Sequence, residues 1–344
     1  MTETGPATRV TASGVAPAGE DHGLLALLAD GGFHSGESLA VRLGISRAAV
    51  WKRIGRLAEL GLDVERRSGR GYRLAGGIEL LEHARILAAL GAPTRARLPR
   101  LELRGVVGST NDVLLQALRA HTAEPGVVCL AERQTAGRGR RGRRWSSPFG
   151  SNIYLSLAWR FERGVAALEG LSLAIGVAVV RALVACGIEG VGLKWPNDLV
   201  AGGAKLGGIL IELEGELAGP VDAVIGIGVN VRMPRAGAAV IDQPWTDLET
   251  LAGRAVSRND FAAALIDACY ALLPEFAARG FAALREDWQC LDVLAGRAVT
   301  VTAGDGGTLA GTAEGVDASG ALRLRTAEGL RALSGGEVSV RRAG

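Results

Sequence analysis

Apolar residues recur along this chain with periods that change from one segment to the next. Between residues 21 and 73 the spacing is helical. Leu24, Leu25, Leu27 and Leu28 mark a short buried helix, and Val50, Ile54 and Leu57 fall at i, i+4 and i+7 on one face of another. Ser35 is placed to cap a helix over 36–43 that stops at Gly44, and Ser46 to cap one over 47–60 that stops at Gly61. Residues 62–67 and 72–74, joined by a turn at 68–71, read as a β-hairpin. A connecting helix is expected over 79–90, ended by Gly91-Ala-Pro93.

The texture then becomes mixed. Residues 101–107, 126–131, 152–159 and 222–231 are strand-like runs rich in β-branched residues. Helices are expected over 112–119 and 171–185, with an amphipathic one over 259–276 and a second over 281–290. Beyond residue 291 short β-prone runs at 298–302, 308–311, 322–324 and 337–340 alternate with Gly/Asp turns, which predicts a small closed or nearly closed β-domain. Residues 1–20 repeat no apolar face and read as a disordered tail. The fold class is therefore α+β: a winged helix-turn-helix over 21–78, a mixed α/β domain over 79–290 and a β-domain over 291–344.

Two helices joined by a glycine-containing turn, the second of them basic, form the helix-turn-helix arrangement. Arg47, Lys52 and Arg53 lie off the apolar stripe and are the expected DNA contacts. The competing reading is a small helical packing domain with a solvated basic face. Trp51 falls beside the stripe; it either covers an interface or lies against DNA.

Composition adds bounds. A chain of 344 residues with 48% hydrophobic content supports more than one core, and a net charge of +3 is too mild to demand a nucleic-acid partner by itself. Cys129, Cys186, Cys269 and Cys290 are far apart and form no CxxC pair, so buried free thiols and a cytoplasmic location are expected. The apolar run 171–186 is interrupted by Arg181 and reads as too short for a bilayer span.

The chemistry concentrates in Gln134-Thr-Ala-Gly-Arg-Gly-Arg-Arg-Gly-Arg-Arg-Trp145. Five arginines are interleaved with Gly137, Gly139 and Gly142, and no acid balances them. Glycine lets successive N–H groups turn toward one ligand, and arginine offers a planar fork of donors that matches carboxylate and phosphate. Arg/Gly runs also serve as disordered nucleic-acid-binding tails. Here the run is pinned between two strands, which favours a loop that orders around a phosphate-bearing ligand. Gly108-Ser-Thr-Asn111 puts polar donors at a helix start. Lys194, Asn197 and Asp198 gather at a strand end, Lys205 stands at a hairpin return, and alternate glycines in 222–231 mark close approach by a ligand or backbone.

Taken in order, Ser46-Arg-Ala-Ala-Val-Trp-Lys52, Ser109-Thr-Asn111, Gly137-Arg-Gly-Arg-Arg-Gly-Arg143, Lys194-Trp-Pro-Asn-Asp198, Lys205-Leu-Gly-Gly208 and Gly226-Ile-Gly-Val-Asn230 resemble the biotin–protein ligases. The closer likeness is to the bacterial bifunctional type that also represses the biotin operon. The resemblance implies a catalytic domain of the biotin/lipoyl ligase type and an SH3-like C-terminal β-barrel. It also implies ATP-dependent formation of biotinyl-5′-AMP with Mg²⁺, then transfer of biotin to a lysine of a biotin carboxyl carrier protein. It places biotin against Ser109, Thr110, Asn111, Gln134, Arg138, Gly139, Arg140 and Lys205, with Lys205, Arg140 and Asp198 as the catalytic set. Arg141, Asn197, Asn230 and Trp245 fall to the nucleotide side, and Asn197 and Asp198 are also expected to hold Mg²⁺ or position the incoming lysine. Operator DNA and a ligand-promoted homodimer are the remaining expected partners. Trp51 cannot make bidentate contacts to base edges, so the operator sequence stays unread. Two other readings remain: a lipoate–protein ligase or octanoyl transferase on the same architecture, and a DNA-binding regulator that senses a ligand without turning it over.

Overall fold

The structure is a computed structural model and describes residues 21–215, 219–234, 241–302, 307–334 and 339–342. The tail expected over 1–20 lies outside them.

The N-terminal unit holds α1 (His22–Leu28), α2 (Gly36–Leu43), α3 (Arg47–Glu59), β1 (Val64–Arg67) and β2 (Gly71–Leu74). Both caps work as their positions imply. Ser35 accepts the Ser38 N–H at 3.0 Å and Ser46 that of Ala49 at 3.1 Å, each satisfying an orphan donor of its helix. Gly44 ends α2 in the left-handed conformation at φ 65°. The two strands pair antiparallel as the wing. The core joins Leu24, Leu25, Leu28, Leu39, Val50 and Leu57 to Leu80 and Phe149, so a side chain from far along the chain closes it.

Seven strands make the central sheet: β3 (Leu101–Val107), β4 (Val128–Gln134), β5 (Ile153–Phe161), β6 (Gly192–Lys194), β7 (Asp198–Ala201), β8 (Ala204–Gly215) and β9 (Val221–Val229). Their order is β3-β4-β5-β9-β8-β7-β6, with only β3 and β4 parallel. Strand alternation sorts the two faces. Ile153, Leu155 and Leu157 of β5 and Ile225, Ile227 and Val229 of β9 enter the main core with α7 (Leu171–Ala185). The residues between them, Tyr154, Ser156, Gly226 and Gly228, belong to the face that carries α6 (Thr110–Arg119). Opposite one another in the ladder stand Ser156 with Gly226, and Tyr154 with Gly228. The sheet is hollowed there because Ser156, Gly226, Gly228 and, across from Gly228 on β8, Gly208 carry little or no side chain.

Several expectations need correction. The helix expected over 79–90 is shorter: α4 spans His83–Ala89, and Pro93 sits in the first turn of a further short helix, α5 (Ala92–Arg97). Pro is tolerated at that position because its missing N–H would be unpaired there anyway. Residues 79–82 are held elsewhere. Glu79 binds Ser257 and Asn259 at the start of the long helix α9 (Arg258–Arg279), which follows α8 (Leu248–Ala252). That long helix is amphipathic as expected, burying Phe261, Leu265, Tyr270, Leu272 and Phe276 on one broad face and leaving Asp260, Asp267 and Ala271 on the other. The segment 281–290 is a 3₁₀ turn followed by α10 (Arg285–Cys290). The stretches Val165–Ala185 and Arg258–Arg279 are both long and apolar enough to cross a membrane by length and composition, contrary to the sequence reading of the first. Their apolar residues are packed in the main core. Of the thiols, Cys129 and Cys269 are buried while Cys290 is exposed.

The C-terminal strands β10 (Ala298–Thr302), β11 (Thr308–Val316), β12 (Leu322–Thr326), β13 (Gly329–Leu333) and β14 (Ser339–Arg342) form one antiparallel sheet in the order β13-β12-β11-β10-β14. Among the described residues β13 and β14 do not pair with each other, so the sheet is open at those edges. Val299, Val301, Leu322, Leu324 and Val340 share the main core, and Trp195 donates its indole N–H to Gly320 O at 3.0 Å.

Candidate active site

A cavity of about 670 Å³ opens on the α6-bearing face of the sheet. Every residue expected at a biotin, nucleotide or catalytic position lines it: Ser109, Thr110, Asn111, Gln134, Arg138, Gly139, Arg140, Arg141, Asn197, Asp198, Lys205, Asn230 and Trp245. The expected DNA contacts Arg47, Lys52 and Arg53, and Trp51 beside them, lie on α3 instead, with Arg47 and Lys52 exposed and Trp51 63% exposed. Among the described residues Trp51 covers no interface. Arg53 is turned back, its Nε 3.9 Å from Asp21.

The alternate glycines of β9 are needed for protein side chains. A Cβ at Gly226 would collide with Asn111 Oδ1, and one at Gly228 would lie 2.8 Å from the Trp145 ring. Asn111 and Trp145 therefore rest in the hollow and become its lining. Gly226→Ala is expected to expel Asn111, an overpacking cost of about 1–3 kcal/mol that appears as weaker ligand binding in titration calorimetry. Unchanged binding would show that Asn111 is not part of the binding surface.

A continuous chain of hydrogen bonds fixes the polar wall. Glu212 accepts from Asn111 Nδ2 at 2.6 Å, and Asn111 Oδ1 accepts the Ser156 hydroxyl at 2.6 Å. Ser156 lies 2.7 Å from Thr110 Oγ1, which with its own backbone N–H meets Gln134 Oε1 at 3.1 and 2.9 Å. Gln134 thus caps α6, while Ser109, the residue in the cap position, makes no side-chain capping bond and stays buried at the cavity. Asn111, Thr110 and Ser156 are nearly inaccessible, and a buried network with its partners satisfied holds its groups in one arrangement.

The Gly/Arg loop folds into a small hairpin. Gly139 N–H meets Arg143 O at 2.7 Å and Trp145 N–H meets Gly137 O at 2.8 Å. Arg141 takes a left-handed φ of 59°, which costs a non-glycine residue energy. Arg138 is held by Asp112 through two contacts, 2.8 and 2.6 Å, and reaches Glu212 at 3.2 Å. The Arg138 guanidinium holds the Asp112 carboxyl below its ordinary range. Arg140 is the more enclosed cation; burial pulls its guanidinium down and the Asp198 charge partly offsets this.

Across the cavity Lys205 Nζ stands 2.6 Å from Asp198 Oδ1 and 5.6 Å from the centre of the Trp145 ring. Asp198 opens β7 rather than closing the preceding strand. Asn197 is spent on structure: its Nδ2 donates to Ile209 O at 2.7 Å, and its carbonyl accepts the Ile209 N–H. Lys205 is gripped through its backbone by the segment bearing Trp245, with bonds to Pro244 O and from Thr246 N–H at 2.9 Å each. Asn230 Nδ2 donates to Thr246 O at 3.0 Å, leaving Oδ1 buried with no partner among the described residues.

The sequence reading missed Asp112, Ser156 and Glu212, and took Trp145 only as a flank. Ser156 carried a signal, as the one small polar residue within an apolar strand. The others showed none, because an acid on a helix or strand normally marks a solvated face.

Three family models match in order: an HTH domain over 23–73, the Biotin/lipoate A/B protein ligase family over 104–230 and the Biotin protein ligase C terminal domain over 295–341. The bifunctional ligase/repressor BirA of Escherichia coli is 43% identical over 320 residues, spanning 93% of this chain and 97% of that protein. The bifunctional ligase/repressor BirA of Bacillus subtilis is 31% identical, spanning 90% and 94%. Among solved structures, the biotin protein ligase of Aquifex aeolicus in complex with biotin and ATP superposes with a TM-score of 0.60 at 27% identity, covering 71% of this chain and 99% of that one. Shared from its helix-turn-helix to its last sheet with relatives matched over almost their whole length, this architecture shows that the chain belongs to the family of bifunctional biotin–protein ligase/repressors.

Proposed function

We propose that this chain activates biotin with ATP and transfers it to a lysine of a biotin carboxyl carrier protein, and that it also represses transcription in response to biotin. The observation that carries the ligase reading is the convergence of Lys205, Arg140 and the Gln134–Thr110–Asn111 network on one cavity. In the first step a biotin carboxylate oxygen attacks the α-phosphorus of ATP and pyrophosphate leaves, giving the mixed anhydride biotinyl-5′-AMP. In the second, the neutral amine of the acceptor lysine attacks the biotinyl carbonyl carbon, AMP leaves with the anhydride electrons, and the amine sheds a proton.

Ser109, Thr110, Asn111, Gln134, Arg138 and Gly139 take biotin, with Arg140 and Lys205 toward its carboxylate. Two anions must meet in the first step, and fixed cations at that point stabilise the developing charge more than water does. Asp198 holds Lys205 and is within reach to steer the incoming lysine. Arg141, Asn197, Asn230 and Trp245 take the nucleotide side, Asn197 by supporting the wall and Asn230 through its unpaired oxygen.

Among the described residues no group of three or more His, Cys, Asp or Glu side chains could bind a metal by itself. Mg²⁺ carried in by the ATP phosphates would need one or two carboxylates, and Asp198, already bonded to Lys205, would supply one.

We take 21–78 as the DNA-binding unit, 79–290 as the catalytic unit and 291–344 as a β-domain, in a cytoplasmic protein. Arg47, Lys52 and Trp51 supply the DNA face, with Arg53 supporting it from within. Beyond Ile209 the edge of β8 away from β9 pairs with no strand among the described residues. An open strand edge is a template for another chain, and we assign this one to a second copy in the ligand-promoted dimer and, alternately, to the acceptor.

Incubation with biotin, Mg-ATP and a biotin carboxyl carrier domain is expected to add one biotin mass to a single lysine. Preference for lipoate instead would overturn the substrate assignment. A gel shift on a biotin-synthesis promoter should strengthen when biotin and ATP are both present, and no shift in either condition would leave a ligase without repression.

A further inference from the structure

The ion pair at Arg138 is used by neither step above. Its Nη1 lies 2.8 Å from Asp112 Oδ2, and its Nη2 lies 2.6 Å from Asp112 Oδ1 and 3.2 Å from Glu212 Oε1. Asp112 sits in the first turn of α6, and Glu212 on β8. One guanidinium thus ties the Gly/Arg loop to two separate elements of the opposite wall. Glu212 also accepts from Asn111 Nδ2 at 2.6 Å, so the tie is continuous with the network that shapes the pocket.

Two carboxylates beside a cavity meant for a carboxylate and a phosphate would repel both unless they do something else. The loop supplies the reason. It is rich in glycine, ordering it is entropically costly, and its crest at Arg141, Arg143 and Arg144 is exposed. A bidentate arginine–carboxylate contact is the strongest device available for pinning such a loop at one point.

Building on the adenylate-forming reading, we propose that Asp112 and Glu212 are positioning residues. They fasten the Gly/Arg loop through the Arg138 side chain, and the strength of that fastening sets how long biotinyl-5′-AMP is retained before transfer. The backbone of the loop then faces the ligand while the Arg138 side chain holds it shut.

The test uses the full chain and two readouts. One is the rate of trypsin cleavage after Arg140, Arg141, Arg143 and Arg144, sites that every variant keeps, located by mass spectrometry. The other is the escape of biotinyl-5′-AMP into solution when no acceptor is present. Asp112→Asn is expected to raise both about tenfold, the loss of one charge-assisted contact, while biotin-dependent ATP–pyrophosphate exchange changes much less. Asp112→Glu restores slow cleavage, and Glu212→Gln, a second variant, raises both readouts to a smaller degree. Arg138→Ala speeds cleavage as Asp112→Asn does, and combining the two adds nothing further. Wild-type cleavage and escape in both Asp112→Asn and Glu212→Gln, or additive effects of Arg138→Ala and Asp112→Asn, would overturn the proposal. The trypsin readout works even in a chain that makes no adenylate. Loss of exchange in the wild type would therefore count against the ligase reading, and unaltered cleavage against the fastening.

Discussion

Lys205→Ala is expected to lower biotin-dependent ATP–pyrophosphate exchange by about 10²–10³-fold, the usual loss when one preorganised charge-stabilising donor is removed. The far-ultraviolet circular dichroism spectrum should be unchanged. The side chain is half-buried between Asp198 and the Trp145 ring, 2.6 Å from the first. Its backbone is bonded on both sides to the segment carrying Trp245, so the strand survives the loss of the amine. The deletion removes a cation and also leaves the Asp198 charge less compensated beside two approaching anions. Adding Asp198→Asn to Lys205→Ala should therefore recover part of the lost rate, whereas Asp198→Asn alone should slow transfer to the carrier lysine more than exchange. Full exchange by Lys205→Ala would remove this residue from the catalytic set.

The largest expected loss of stability is at Arg258. Its guanidinium is 3% exposed and lies 2.8 Å from Glu132 Oε2, itself on a residue 1% exposed. It also donates to Asn152 O at 2.9 Å and to Glu79 O at 2.6 Å. The other oxygen of Glu132 accepts the Leu81 N–H at 2.7 Å. Arg258→Ala strands a carboxylate in the core and opens two carbonyls, and removing one partner of a buried pair typically costs about 3–5 kcal/mol. Urea denaturation should show it as a lower midpoint. Replacing both partners with apolar residues of similar volume should cost less than the single change, because no lone charge remains. A loss under about 1 kcal/mol for Arg258→Ala would mean that water enters and solvates Glu132.

Much of the molecule could be read from local pattern. The capped helices of the N-terminal unit and β10 fall where spacing and punctuation put them because each buries one face of a regular period, and β3 and α7 do so as apolar runs buried on nearly every side. Reading failed where long-range contacts decide. Residues 79–82 look helical but are drawn into contacts with the start of α9, nearly 180 residues away. β13 was missed because its side chains are exposed and leave no alternation. At the site, residue types with no structural explanation were found early, since arginine among glycines serves little but an anion. Asp112 and Glu212 were not, because a carboxylate paired with an arginine far away in sequence looks like any surface acid. The glycines of β9 do mark close approach, with the side chains of Asn111 and Trp145 rather than backbone lying against them.

Phe149 leaves the strand region to complete the small core around Leu24 and Leu57, and the Arg232 side chain reaches the carbonyls of Gly76 and Gly77. The consequence concerns anyone who would trim this protein. An enzyme shortened to begin after the wing would carry a greasy scar where that ring used to dock, and it would be prone to clumping. The reader of promoters and the maker of the conjugate are better treated as one purchase: neither half comes away clean.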